Sequence, residues 1–160
     1  MNKTIRKIRE QEYPLLEDFL YEAIFVPEGA DAPPRAIVNA PELQVYVRDF
    51  GGQAADTALV AEVDGKVVGA VWARIMEDYG HVDAQTPSLA IGLFKEYRGL
   101  GIGTELMRVI LSRLAEKGCR QVSLSVQKAN YAVRLYRCLG FEVAEENDEE
   151  YIMIKELRRK

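Results

Sequence analysis

Two cysteines, one histidine and one tryptophan among 160 residues leave little material for thiol or imidazole chemistry. Cys119 and Cys138 lack metal-type spacing, so they read as free thiols of a reducing compartment, and no metal site is expected. A basic excess is missing as well. The 21 Lys and Arg stand against 25 Asp and Glu, a net charge of -4, the reverse of the footprint that a phosphate backbone attracts. Nucleic acid is therefore not an expected partner. Long apolar runs are absent too: "VVGAVWA", Val67 to Ala73, falls far below the roughly 18 residues of a membrane span. The opening "MNKTIRKIRE" carries charge with no apolar segment behind it. No membrane contact is expected, and the chain reads as cytoplasmic. Its length suits one domain over 1–160.

What is present reads as alternating strands and helices. Thr4 to Arg9 suggests a strand, and Leu15, Leu16, Phe19, Leu20 and Ala23 recur at helical spacing between Glu12 and Ile24. Four of the six prolines crowd the next segment, which predicts a loop or broken helix, with a second helix over Glu42 to Asp49. Asp64-Gly65 between two apolar runs predicts a tight hairpin of Thr57 to Val63 and Lys66 to Met76. Ser88 to Phe94 reads as a buried central strand. The stripe Leu106, Met107, Ile110, Leu111 and Leu114 gives a long helix stopped by Gly118, and Gln121 to Gln127 alternates as a strand. Strand, helix, strand implies a right-handed crossover and a parallel pair. A last helix from Asn130 to Gly140 and two strands around Asn147-Asp148 complete an α+β chain. The expected sheet is twisted and mainly antiparallel, with one parallel pair near its middle and helices on both faces.

The most informative stretch is "KEYRGLGIGTEL", Lys95 to Leu106. Glycines at 99, 101 and 103 strip β-carbons from the start of the long helix. There unpaired amides and the positive end of the helix dipole favour an anion, and Arg98 adds a cation. A pyrophosphate is the expected occupant. The nucleotide-triphosphate loop requires Lys then Ser or Thr after its last glycine, but Thr104 and Glu105 follow Gly103. The dinucleotide fingerprint places its third glycine one residue later and adds an acid some 20 positions on, which Gly118 to Leu124 lacks.

Arg98-Gly99-Leu100-Gly101-Ile102-Gly103 does match R/Q-x-x-G-x-G/A, and "NYAVRLYRCLGF" follows about 30 residues later on the next helix. In both motifs, and in the order of elements from Thr4 to Leu157, the chain resembles the GNAT superfamily of acyl-CoA-dependent N-acyltransferases. The resemblance implies a GNAT-like sheet whose central parallel strands splay around the pantetheine arm of acetyl-CoA. It implies that the loop amides of Leu100, Gly101, Ile102, Gly103 and Thr104, with Arg98 and Gly99, hold the pyrophosphate. Ile91 and Leu93 would offer backbone groups to the pantetheine, and Asn130 would bond the far side of the cofactor. The implied reaction is an N-acetyltransferase step, direct attack of a primary amine on the thioester in a ternary complex, with an amide near Leu93 as oxyanion donor. Tyr136 occupies the position of the general acid. A non-catalytic acyl-CoA-binding regulatory module is the alternative.

Several of these residues carry a second reading. Tyr136 can pack on Phe141 at the helix end, Asn130 can be only a helix cap, and Arg98 can be a solvated charge. No base is evident on the central strand; Glu62, Asp64, Tyr79, His81 and Asp83 are the nearby candidates, with a water relay as the alternative. Tyr21, Phe25, Tyr46 and Phe50 are candidate walls for the acceptor, a small-molecule or peptide amine, and a homodimer is left open.

Overall fold

Asp64 and Gly65 turn the chain with φ of 50° and 85°, joining β2 (Thr57–Val63) to β3 (Lys66–Arg74). The computed structural model describes residues 2–79 and 81–157. Both hairpin strands are buried on both faces, so their side chains feed two separate cores. Leu59, Ala61, Val71 and Ala73 enter one, and Ala58, Val60, Ala70 and Trp72 the other. Around this hairpin the sheet grows to seven strands in the order β1-β2-β3-β4-β5-β7-β6. β1 is Lys3–Lys7, β4 is Ser88–Leu93, β5 is Gln121–Gln127, β6 is Glu142–Glu146 and β7 is Glu150–Glu156. Every neighbouring pair is antiparallel except β4 and β5, which run parallel.

The first core lies under α3 (Ile102–Glu116) and α4 (Ala132–Cys138). Ile102, Leu106, Met107, Ile110 and Leu114 of α3 are essentially inaccessible to solvent, each worth about 1.5–3 kcal/mol of burial. Gly118 at φ 90° closes that helix as expected. The second core lies under α1 (Leu15–Ala23), with Leu16, Phe19 and Leu20 inside. α1 rests directly on β4: a β-carbon added to Gly92 would stand 2.0 Å from the Phe19 carbonyl oxygen. Only a residue without a side chain allows that approach.

The expected helix over Glu42 to Asp49 is cut to one turn, α2 (Pro41–Gln44). The following carbonyls are drawn to the sheet instead. Trp72 Nε1 donates to the Tyr46 oxygen at 3.0 Å, and Arg74 Nη1 donates to Arg48 and Val45 oxygens at 2.7 and 3.3 Å. Arg74 is itself buried, its fork held by both Asp56 oxygens at 3.1 Å and its guanidinium 5.3 Å from the Phe50 ring. Smaller differences concern ends. β1 stops at Lys7 and β3 at Arg74, and Asn130 lies just ahead of α4, its Oδ1 accepting from the Ala132 amide at 2.9 Å. Among the described residues no helix is long and apolar enough to cross a membrane, and no cluster of metal-ligating side chains occurs.

Candidate active site

Along its whole length β4 pairs with β3, from Arg74↔Ser88 to Gly69↔Leu93. With β5 it pairs only at Ser88↔Ser123. The Phe94 amide donates to Val68 at 3.0 Å, which sets the alternation of the antiparallel ladder. Ala90 and Gly92 bond towards β3, while Leu89, Ile91 and Leu93 turn their backbone groups towards β5. The Ser123 amide bonds Pro87 at 3.0 Å, after which the two strands part. Ile91 and Leu93 therefore present backbone groups to an open wedge.

The wedge ends beneath the start of α3. Gly101 is the capping residue, at φ 85° and ψ -1°, and the Glu105 amide makes the first helical bond, to Gly101, at 3.2 Å. The amides of Ile102, Gly103 and Thr104 precede that bond and have no acceptor within the helix. Nothing stands within 4 Å of the places where β-carbons on Gly99 and Gly101 would be. Leu100 points outward, and the Ile102 side chain is buried in the core, so both can meet an anion only through the backbone. On Gly103 a β-carbon would stand 3.4 Å from the Leu93 side chain, just above the wedge.

Arg98 is committed elsewhere. Its Nε donates to the Leu93 carbonyl at 3.1 Å and its Nη2 to the Glu22 carbonyl at 2.9 Å, with the Glu22 carboxylate 3.6 Å away. Its guanidinium thus ties the end of β4 to the end of α1. The loop amides and the helix dipole supply the positive field of the cradle, and the Leu93 amide, not its carbonyl, faces the wedge unclaimed.

A cavity of about 400 Å³ passes through the sheet at the wedge. Ile91, Met107 and Tyr136 line it on the α3 face, and Ile24, Phe25 and Tyr46 on the α1 face. Tyr136 meets Phe141 edge-on at 5.9 Å, and the Phe141 amide bonds back to Tyr136 at 3.0 Å, so the helix-end contact and a place in the cavity coexist. Burial alone pushes its phenol up to about 12. Asn130 lines the same cavity while capping α4. A larger hollow, about 630 Å³, lies at the far end of α3 beside Lys117 and Cys119, remote from the loop.

Of the expected acceptor walls, Phe25 and Tyr46 line the cavity. Tyr21 instead donates its hydroxyl to Pro33, and Phe50 packs edge-on to Tyr13 at 5.3 Å. Among the base candidates Tyr79 alone lines the cavity. Glu62 pairs with Arg6 at 3.2 Å, and Asp64 accepts from the Asn2 amide at 3.0 Å. The His81 ring sits 2.8 Å from the Met76 carbonyl, and Asp83 caps its own turn at the Gln85 amide, 2.8 Å away. Sequence reasoning passed over Asp78, whose carboxylate accepts from Ser88 Oγ at 2.8 Å at the closed end of the wedge. No local signal marks it, because the strand pairing of Ser88 brings it there.

The family model described as Acetyltransferase (GNAT) family matches residues 15–141. An N-alpha-acetyltransferase of Sulfurisphaera tokodaii is 37% identical over 92 residues, 52% of this chain and 54% of that one. A mycothiol acetyltransferase of Corynebacterium aurimucosum is 45% identical over 58 residues, 36% of this chain and 19% of that one. The chain thus spans about half of the first relative and about a fifth of the second. The PaiA N-acetyltransferase of Thermoplasma acidophilum, solved in complex with coenzyme A, superposes with a TM-score of 0.70 at 22% identity, covering 98% of this chain and 99% of its own. That likeness shows a shared fold.

Proposed function

The chain belongs to the GNAT acetyltransferase family, and from that premise we propose that it moves the acetyl group of acetyl-CoA to a primary amine, by direct attack in a ternary complex. The observation that carries the reading is the cavity through the sheet, with Tyr136 and Ile91 among its walls and the Ile91 side chain lying beneath Gly103 of the bare α3 start. A cofactor arm can enter from the α3 side and an acceptor from the α1 side, meeting in the wedge.

The residues present fit the cofactor. The amides from Leu100 to Thr104 hold the pyrophosphate, with open space over Gly99 and Gly101 to admit it. Arg98 acts on the same loop as a brace, fixing where Leu93 ends. Ile91 and the Leu93 amide pair with the pantetheine as strand does with strand. Asn130 borders the far side of the arm. When bound, the cofactor supplies an activated acyl carbon. The chain supplies an oxyanion donor, a backbone amide near Leu93, and an acid, Tyr136. Burial holds the Tyr136 hydroxyl protonated at neutral pH, the state an acid needs to deliver a proton to a departing thiolate. The acceptor is a small-molecule or peptide amine, and the working place is the cytoplasm.

Calorimetry with CoA, ATP and NAD, followed by thiol release from acetyl-CoA over a panel of primary amines, tests the reading. Tight CoA binding and acceptor-dependent release are expected. Preference for ATP or NAD overturns the cofactor assignment, and CoA binding without release for any amine leaves a regulatory acyl-CoA-binding module.

A further inference from the structure

The cavity through the sheet has an apolar rim. Ile37 and Tyr79 line it while remaining 37% and 53% exposed, with Ile24 and Phe25 in the same wall. Exposed apolar side chains gathered on one rim, unlike those scattered singly, mark a binding surface. The charged residues of the lining are two carboxylates, Glu42 and Glu150, and no Lys, Arg or His joins them among the described residues.

The two carboxylates reach the cavity from opposite flanks of the α1 face. Glu42 belongs to α2, whose next residue, Leu43, packs against the core under α1. Glu150 opens β7 directly across from Gln127 of β5. Along β5, Leu124 and Val126 enter the core under α3, so Ser125 and Gln127 point to the α1 face. Cross-strand partners share a face, and β7 keeps the same phase, with Tyr151 and Met153 on the α3 side. Glu150 therefore stands on the acceptor side, in one lining with Ser125 and Gln127. Glu42 is exposed and Glu150 half-buried, which puts both near the water line. Among the described residues neither carboxylate has an ion pair. Lys128, next to Gln127, is held by Glu146 at 2.6 Å, and Arg35 by Asp18 at 2.5 Å.

We propose that Glu42 and Glu150 select an acceptor with a second positive charge, a primary amine joined through an apolar spacer to another cationic group. This rests on the acetyltransferase reading above and names its substrate class. The reacting nitrogen is not what these carboxylates recognise. An alkylamine, with a pKa of about 10.4, must lose a proton before it can attack, and a carboxylate beside it would hold that proton in place. A second cation keeps its charge throughout, so its attraction to the rim lasts from encounter to product. The spacer lies against Ile24, Phe25, Ile37 and Tyr79, the distal cation meets Glu42 and Glu150, and the reacting amine enters the wedge. An acceptor with a free carboxylate in place of the distal cation is repelled at the same rim.

The test is thiol release from acetyl-CoA with acceptors matched in carbon count: an n-alkylamine, the α,ω-diamine and the ω-amino acid. The diamine is expected to exceed the monoamine in kcat/KM by about tenfold, the worth of one charge-assisted contact, and the ω-amino acid to trail both. The excess should lie in KM and shrink as salt is raised. Glu42→Gln and Glu150→Gln should each lower the diamine-to-monoamine ratio, and the double substitution should bring it close to one, with CoA affinity by calorimetry unchanged. That affinity also reports folding, and if one variant loses it, the other decides by the same ratio. Release with no amine at all overturns the acetyltransferase reading and the selection together. Equal kcat/KM for monoamine and diamine, release with other amines but not the diamine, or a diamine preference that survives both substitutions overturns the selection and leaves the acetyltransferase reading intact.

Discussion

The α3 face and the α1 face of the sheet solve different problems with different parts. On the α3 face one fifteen-residue helix lays a continuous apolar stripe on the strands, and its bare start overhangs the wedge. On the α1 face a nine-residue helix, a single turn at Pro41–Gln44 and irregular chain are held down by side chains of β3, above all Trp72 and Arg74. The first arrangement makes a cradle of backbone that any sequence with the same glycines could reproduce. The second makes a wall whose shape depends on individual side-chain bonds, and such a wall can be altered without disturbing the cradle. On the function proposed above, the difference puts cofactor recognition in main chain and acceptor recognition in side chains.

The contrast can be broken from the α1 side most severely. Arg74→Met leaves Asp56 buried and unpaired and frees the carbonyls of Val45 and Arg48, a loss of about 3–5 kcal/mol in chemical denaturation. CoA affinity of the chain that remains folded should hold. A variant as stable as the parent would show that β3 does not anchor this wall. Next comes the junction of the two faces. Tyr136→Phe should reduce kcat about 100-fold in single-turnover thiol release and leave CoA affinity within twofold, about 0.4 kcal/mol; equal turnover removes its role as acid. The smallest effect is expected on the α3 side. Gly101→Val forces a branched residue into φ 85°, at about 1–3 kcal/mol of strain, and crowds the cradle. Titration should show CoA affinity reduced by about tenfold or more, with acceptor preference unchanged among variants that still turn over.

The two faces also differ in how much of them can be read from residues alone. The α3 face is legible because its signals are local: alternation in Gln121 to Gln127, a stripe from Leu106 to Leu114, glycines at fixed offsets. The Asp64-Gly65 hairpin belongs to the same class. The α1 face is not, because the bonds that shape it join residues far apart in the chain. The pattern from Glu42 to Asp49 is helical by spacing, yet Trp72 and Arg74 take its carbonyls from more than 25 positions away. Asp78 is invisible for the same reason, since Ser88 comes to it only once β3 and β4 are paired. Arg98 shows a third case: its charge is legible, but its use as a brace on Leu93 and Glu22 depends on where α1 ends.

The carbonyl of Phe19 stands where a side chain on Gly92 would begin, so α1 and β4 meet without any cushion of flexible groups between them. Helix and strand must then shift as one lever. On the reading proposed above, a displacement of α1 near Ile24 and Phe25, which line the cavity, is passed through Phe19 and Gly92 to the strand that borders the wedge.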